Sequence, residues 1–446
     1  MIDNSTIVAI ATANGIGSIS IIRLSGPNAL KIAKKLTQKN DFQPRLATLV
    51  NIYDSSQNVI DEALILYFKA PFSFTGEDVV EFQCHGGVAI ANMVINEILN
   101  HDARLAMPGE FSKRAFLNNK IDLSKAEAIS KIIEARSEDA VRLLAKQLKG
   151  ELKDFVNEIR EDLLFMLAYT EVTIDYAEED LPEDILQTIE NKIDKTIIKL
   201  DNTLDASKRR EGMIEGFKVA IIGKPNVGKS SLLNKLLNFE RAIISDIAGT
   251  TRDTIEESVR IGTHIIKIVD TAGIRNADDT IEKIGIEKSI QTVQEAEIII
   301  ALFDNSKDCD EEDLRIIELL SQNPQKQIIR VLNKADLENK FDKSKIKNFI
   351  EISTKQDIKP LIKAIEKILD ENTHSDEMSL ISKRQVDAVQ KSLYNIENAK
   401  TPLETGELEF FAHYINEAIL EISSITRPYE NDEMLDVMFG EFCLGK

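Results

Sequence analysis

The 446-residue chain has no tryptophan, only three cysteines and only five histidines. Cys84, Cys309 and Cys443 stand far apart and form no C-x-x-C pair, which argues against a disulfide framework and against a thiolate zinc site. No two histidines fall at H-x-x-x-H spacing, so no metal site is legible there either. No run approaches eighteen uninterrupted apolar residues, which argues against a membrane span. The first residues, MIDNSTIVAIATANG, carry an acid at Asp3 and neither a basic segment nor arginines. They read as neither a secretory signal nor a transit peptide, and a cytoplasmic location is expected. Positive charge is in deficit: the formal net charge is −20. That argues against broad, sequence-blind binding to nucleic acid, though a local basic face can still hold RNA. Lys208, Arg209 and Arg210 form one short basic run, which reads equally well as a solvated helix end. Internal repeats and low-complexity segments are missing too.

What is present falls into three textures. The length is too great for one ordinary core, so two or three domains are expected. Residues 1–118 mix short β-rich runs, at Ser18–Leu24, Ala63–Phe68 and Val79–Gln83, with Gly and Pro punctuation, as in a compact α/β unit. From Ile121 apolar residues recur mostly every three or four positions (Ile129, Ile132, Ile133, Val141, Leu144, Leu148, Leu152, Phe155, Ile159, Leu163, Met166), which marks a helix face. Ser124 with Glu127 offers a capping box at its start, and a second helical stretch follows Pro182 to about Glu211. Short apolar runs without alternation, Lys218–Ile222, Ile265–Val269, Ile298–Phe303 and Ile328–Leu332, read as strands of a parallel sheet buried on both faces. Helical texture returns after about Thr373. The expected division is therefore 1–118 (α/β), 119–214 (helical), 215–372 (an inserted α/β unit) and 373–446 (helical again).

The most specific signal is FKVAIIGKPNVGKSSLLNKL. A strand, Phe217–Ile222, runs into Gly223-x-x-x-x-Gly228-Lys229-Ser230 and then into a helix, the context a phosphate-binding loop requires. Glycines let backbone N–H groups turn toward phosphate oxygens, Lys229 brings a point charge to the β- and γ-phosphates, and the Ser230 hydroxyl is a Mg²⁺ ligand. The base is read in IIRVLNKADL. The Asp336 carboxylate can accept from N1–H and the exocyclic amine of guanine, a donor pair adenine lacks. In IVDTAG, Asp270 ends a strand where it can hold Mg²⁺ through water, and the Gly273 N–H can meet the γ-phosphate. GTTRD, Gly249 to Asp253, supplies threonines to close over Mg²⁺ and phosphate. These elements resemble the translation-factor-like bacterial GTPases in order and spacing. In EISTK, Thr354 stands where alanine is usual, which leaves a backbone contact to guanine O6 open. Ile274 follows DTAG where many GTPases have a water-orienting glutamine, and an apolar side chain cannot orient water. The next segment offers Glu282, which is otherwise a solvated acid among Asp278 and Asp279.

Over its whole length the chain resembles the MnmE (TrmE) family of tRNA-modifying GTPases. The resemblance rests on ISIIRLSGP, FTGEDVVEFQCHGG, PGEFSKRAFLNNKIDLSKAEAI, GKPNVGKSSLLN, DIAGTTRD, DTAGIR with IEKIGIEKS, and the terminal FCLGK. It implies a multidomain α/β plus all-α protein: an N-terminal α/β folate-binding domain that dimerises, and a helical domain interrupted by a Ras-like P-loop G domain. Carried over by motif, the GTP contacts are Asn226, Val227, Gly228, Lys229, Ser230 and Ser231, then Ser245, Asp246, Ile247, Ala248, Gly249, Thr250 and Thr251, then Asp270, Thr271, Ala272 and Gly273, and finally Asn333, Lys334 and Asp336. Mg²⁺ falls to Ser230 and Thr251, and K⁺ to Asn226, Ser245, Ile247 and Thr250. Glu282 would orient water beside the catalytic Lys229, and Arg252, Asp253 and Arg275 would support the switch loops. Arg23, Glu81, Lys120 and Lys446 would hold a 5-formyl- or methylene-tetrahydrofolate. Without the resemblance, Arg23 and Lys120 are ordinary surface charges. In FCLGK, Cys443 would add to C6 of uracil as a nucleophile, or else simply pack beside Phe442. The implied activity is K⁺-dependent GTP hydrolysis. With a flavoprotein partner, MnmG, in a heterotetramer, it would serve to install an aminomethyl or carboxymethylaminomethyl group at C5 of the wobble uridine of tRNA. The alternative is a regulatory GTPase switch on a ribosome or stress-response partner, which would need neither the folate motif nor Cys443.

Overall fold

The structure is a computed structural model, and it describes residues 4–13, 15–135, 137–175, 183–239, 257–269, 293–371 and 378–427, and residues 435, 439, 440, 442 and 445. The chain divides into two compact units. One comprises residues 1–133, 152–164 and 419–446, the other residues 134–151 and 165–418.

The first unit is built on a six-stranded sheet. Its strands are β1 (Thr6–Ile10), β2 (Ile19–Ser25), β3 (Thr48–Tyr53), β4 (Val59–Phe68), β5 (Val79–His85) and β6 (Ala103–Leu105), in the order β3-β4-β5-β2-β1-β6. All neighbours are antiparallel except β1 with β6. Along β4 the side chains of Asp61, Ala63, Ile65 and Tyr67 alternate inward, the period-two pattern of a sheet covered on one face. Helices α1 (Ala29–Thr37) and α2 (Val88–Leu99) cover that face with Ile32, Leu36, Val94 and Ile98. On the other face α3 (Glu110–Leu117) sets Phe111 against Ile7 and Ala9.

Helix α4 (Leu123–Glu134) follows, and its start corrects the sequence reading. Asp122, not Ser124, is the cap: Asp122 Oδ1 accepts the Lys125 N–H at 2.9 Å and the Ser124 hydroxyl at 2.6 Å. Aspartate two residues earlier reaches the orphan N–H with full charge at the positive end of the helix, so it wins over serine. The long helical texture is broken further into α5 (Glu138–Leu148), capped by Ser137, and α6 (Glu151–Asp175), and α7 (Glu183–Glu215) comes next.

In the second unit a six-stranded sheet has the order β12-β11-β10-β7-β9-β8. The ranges are β7 (Phe217–Ile222), β8 (Glu257–Ile261), β9 (His264–Ile268), β10 (Ile298–Asp304), β11 (Gln327–Asn333) and β12 (Phe349–Glu351). Five strands run parallel, as the unalternating apolar runs imply; β8 is an antiparallel edge that those runs did not reveal. Every residue of β10 is buried. Helices α8 (Lys229–Phe239) and α10 (Lys359–Glu371) bring Leu232, Leu236, Leu361 and Ile365 to one face, and α9 (Glu311–Ser321) brings Leu320 to the other. Helices α11 (Lys383–Thr405) and α12 (Leu408–Ser423) come next in the chain.

Arg210 drops out of the basic run that the sequence suggested. It is 4% exposed and donates to Ser379 Oγ, so it is an internal tie, and only Lys208 and Arg209 face solvent. No helix among the described residues is long and apolar enough to cross a membrane.

Candidate functional site

Strand β7 lies between β9 and β10, so the chain leaves it toward one side and later returns on the other. The carboxyl end of such a strand is where doubly wound sheets bind ligands. The loop from Gly223 to Gly228 sits there, between β7 and α8. Gly223 has φ +156° and a Cβ there would lie 2.6 Å from the Leu302 carbonyl oxygen; Gly228 has φ +106° and its Cβ would lie 2.3 Å from Asn333 Nδ2. Both positions therefore require glycine. Asn226 adopts φ +62°, a left-handed turn that asparagine tolerates. Lys229 Nζ donates to the carbonyls of Gly223, at 2.7 Å, and Lys224, at 2.9 Å. Burial pushes its ammonium down from the ordinary lysine range, against the pull of Glu312. Ser230 and Ser231 stand exposed in the first turn of α8.

The loop that follows β11 is tied to this cradle. Asn333 is fully buried at the end of β11. Its Nδ2 donates to the Val227 carbonyl at 2.8 Å and to Thr354 Oγ1 at 3.3 Å, and its Oδ1 accepts the Thr354 N–H at 3.0 Å. Lys334 Nζ donates to the Asn226 carbonyl at 3.0 Å and to Asp304 Oδ2 at 2.6 Å. Asp336 is exposed, and Ser353 Oγ donates to it at 2.6 Å; that bond holds its carboxyl below the usual range. The structure thus brings Asn226, Val227, Gly228, Lys229, Asn333 and Lys334 together, with Asp336 fixed beside Ser353. The sequence reading assigned no role to Ser353, within EISTK, to Asp304, or to the pair Asp310 and Asp313, which hold neighbouring side chains; Asp304 ends the buried strand β10, Ser353 follows β12, and the pair opens a helix. Ser245, Asp246, Ile247, Ala248, Gly249, Thr250, Thr251, Arg252, Asp253, Asp270, Thr271, Ala272, Gly273, Arg275 and Glu282 lie outside the described residues.

In the first unit Arg23 on β2 and Glu81 on β5 are direct partners in the antiparallel register and form an ion pair at 2.8 Å. Arg23 also stacks over the Phe111 ring, 5.9 Å from its centroid, and its Nη1 donates to the Gly445 carbonyl at 3.4 Å. The end of the chain therefore folds in. A Cβ on Gly445, φ +92°, would lie 2.2 Å from the Ile10 carbonyl oxygen, so glycine alone fits that approach. Lys120 runs across Gly76, whose Cβ would lie 2.9 Å from Lys120 Cε. Beside this stands a chain of charges that the sequence reading missed: Glu77 to Arg114 at 3.1 Å, Arg114 to Glu110 at 3.0 Å, and Glu110 to Arg104 at 2.6 Å. Ser25, Thr75 and Asn118 continue it in hydrogen bonds. Cys84 is buried, and burial with the nearby Asp61 pushes its thiol up to about 12. Burial also raises the thiol of Cys309, with Asp313 and Asp310 adding to it. Neither is poised as a nucleophile. Cys443 and Lys446 lie outside the described residues.

Two family models match the chain: one described as the GTP-binding protein TrmE N-terminus, over residues 6–120, and one described as the MnmE helical domain, over residues 123–443. Curated relatives align from end to end. The tRNA modification GTPase MnmE of Aliarcobacter butzleri is 75% identical over 446 residues, 100% of both chains. Its namesake from Sulfurimonas denitrificans is 61% identical, covering 99% of each chain. That of Nitratiruptor sp. is 60% identical over 100% of this chain and 99% of the relative.

Proposed function

The chain belongs to the MnmE family of tRNA modification GTPases, and on that premise we propose that it is a K⁺-dependent GTPase acting on tRNA with a flavoprotein partner, MnmG. In this reading it works as a homodimer in the cytoplasm, within a heterotetramer, and serves to place an aminomethyl or carboxymethylaminomethyl group on C5 of the wobble uridine.

The observation that carries the reading is the hydrogen bond from Asn333 Nδ2 to the Val227 carbonyl. It couples the loop that grips phosphate to the loop that reads the base, so one nucleotide with a guanine at one end and phosphates at the other spans both. Asp336 accepts from the guanine edge, and Lys229 leaves its two carbonyls for the β- and γ-phosphates. Its cradle holds a charged partner in a partly desolvated site, where electrostatic stabilisation counts for most. The exposed Ser230 hydroxyl, a hard oxygen at a helix start, fits Mg²⁺, with Thr251 as the second ligand. Asn226, with Ser245, Ile247 and Thr250, would hold K⁺, which supplies positive charge where the β–γ bond breaks. Glu282 would orient the attacking water.

In the N-terminal unit the donor set fits a folate. Arg23 and Lys120 match its carboxylates and Glu81 its pterin N–H edge, with Lys446 completing the set. When bound, that group supplies a one-carbon unit. Cys443, two residues before Gly445 in the sequence, is the proposed nucleophile toward uracil C6. The contact of Gly445 with Arg23 supports its placement in this reading.

The test uses cells whose only copy of the gene carries Cys443→Ser, with wild-type and deletion strains beside them. Nucleosides from their tRNA are read by mass spectrometry, and hydrolysis by the purified proteins is measured in K⁺ and in Na⁺. The expected outcome is loss of the wobble modification with K⁺-stimulated GTPase intact. A deletion strain that keeps its modified wobble uridines would sink the tRNA assignment, and equal rates in K⁺ and Na⁺ would sink the potassium site.

A further inference from the structure

Two lysines stand in the phosphate loop, and they point in opposite directions. Lys229 bonds the loop's own carbonyls. Lys224, the first residue after Gly223, carries its side chain into the protein, where it is 6% exposed. There its Nζ lies 2.6 Å from Asp310 Oδ2 and 2.6 Å from Asp313 Oδ2. Those two acids open helix α9. Asp310 is the cap and accepts the N–H groups of Glu312 and Asp313, while Asp313 accepts the Asp310 N–H in return. Asp313 is fully buried, and its Oδ1 has no hydrogen-bond partner among the described residues. Burial raises its carboxyl above the usual range. Burial alone would push the Lys224 ammonium down, but the bonds from both acids outweigh that and hold it up.

A buried carboxylate without a counter-ion is costly, and breaking such a pair by removing one partner strands the other. Here the stranded charge would be negative and would sit behind the loop that must receive a polyphosphate. The same lysine fixes the backbone on which catalysis rests, since the Lys224 carbonyl is one of the two that Lys229 bonds. A helix start following β10 is thereby locked to the loop following β7, its neighbour in the sheet.

We propose that Lys224 is a positioning residue: clamped by Asp310 and Asp313, it holds the phosphate loop in its binding shape and neutralises the acids behind it. This deepens the GTPase reading and rests on it. The role has a signature that a merely structural residue lacks. It acts where the β- and γ-phosphates bind, so its loss weakens nucleotides that carry those phosphates and spares one that does not.

The experiment titrates the full-length protein with GTP, GDP and GMP in Mg²⁺ buffer. For Lys224→Met, affinity for GTP and GDP is expected to fall by about 30-fold or more, with GMP changed by less than about threefold, as an uncompensated buried charge demands. Lys224→Arg, which keeps the charge, restores most of the GDP-to-GMP ratio. Adding Asp313→Asn to Lys224→Met recovers part of it, because the stranded carboxylate is gone. If Lys224→Met does not fold, Asp310→Asn carries the test: its side chain is 53% exposed, and it is expected to give a smaller loss in the same order. Equal losses for all three nucleotides, or none, overturn the proposal. Wild-type protein that binds no GTP refutes the GTPase reading instead and leaves a different mark: no ratio to perturb.

Discussion

Gly109→Ala is expected to loosen the seat of the chain's end without unfolding the sheet beneath it. Gly109 precedes α3 with φ +64°, and a Cβ there would lie 2.1 Å from the Phe439 carbonyl oxygen, 2.9 Å from its carbon and 3.0 Å from Phe442 Cβ. That oxygen already accepts the Phe442 N–H at 3.0 Å. The new methyl group and the hydrogen bond thus compete for the same atom. The left-handed backbone alone costs alanine about 1 kcal/mol. If the clash is relieved by releasing the segment, Phe439, now 1% exposed and tilted against Phe116 at 6.2 Å, loses its burial. A phenylalanine of that kind contributes roughly 3 kcal/mol. Local opening therefore becomes easier by about 1 to 4 kcal/mol, a fivefold to several-hundredfold faster amide exchange at ~1.36 kcal/mol per tenfold. Hydrogen exchange at the Phe442 amide reads this directly, with the amides of β2 and β5 as the internal reference. Gly440→Ala is the control: nothing lies within 4 Å of its Cβ and its φ is not positive, so Phe442 should stay protected. The reasoning fails if Gly109→Ala exchanges like wild type, or if Gly440→Ala opens the segment as far.

Two further outcomes can be measured apart from this. Asp336→Asn exchanges a charged acceptor for an amide that donates, so GTP affinity should fall by about 30-fold or more while that for xanthosine triphosphate, with a carbonyl at C2, rises; competition between the two nucleotides reads it, and an unchanged preference would remove Asp336 from the guanine site. Glu110 gives the acid dependence of the first unit. Burial alone would raise its carboxyl, but Arg104, the Met107 N–H and Arg114 more than offset this and hold it below the usual range. A depressed folded value contributes stability that is complete above the unfolded pKa of about 4.3 and is lost as pH falls through the folded one. The gap in melting temperature between wild type and Glu110→Gln should therefore shrink steadily as pH is lowered from about 5, and a gap independent of pH would show that the carboxylate charge does not matter there.

Much of this was legible because local chemistry and fold agree. The unalternating runs around Ala220, Ile299 and Val331 could only be strands covered on both sides, and the glycine spacing after Ile222 could only turn one way. The recurring apolar positions from Ile129 to Met166 gave a helical region, but not its breaks at Ser137 and Gly150, which fall between good helix formers. The edge strand Glu257–Ile261 was missed because ESVRI carries charges at Glu257 and Arg260 and pairs on one side alone. The partners of the site were harder still. Nothing in the spacing of Lys224 and Asp313, 89 positions apart, says that they meet; only the parallel pairing of β7 with β10 brings a loop and a helix start side by side.

The terminal FCLGK is the sharpest case of a motif without periodicity. Its legibility came from resemblance, and its physical reason lies in two separate close approaches, one at Gly109 and one at Gly445. Gly109 makes room for the Phe439 carbonyl, and Gly445 itself lies against the Ile10 carbonyl. Each is an approach of backbone to backbone, which glycine alone permits and which leaves no trace in hydrophobic pattern. The approach has a consequence for charge. Arg23 already has one carboxylate in Glu81, so it does not need the end of the chain for neutrality; the Gly445 carbonyl takes a donor direction that Glu81 does not fill. Arg23 therefore ties β2 to Gly445, and substitutions at Gly445 and at Arg23 should alter the Phe442 exchange together.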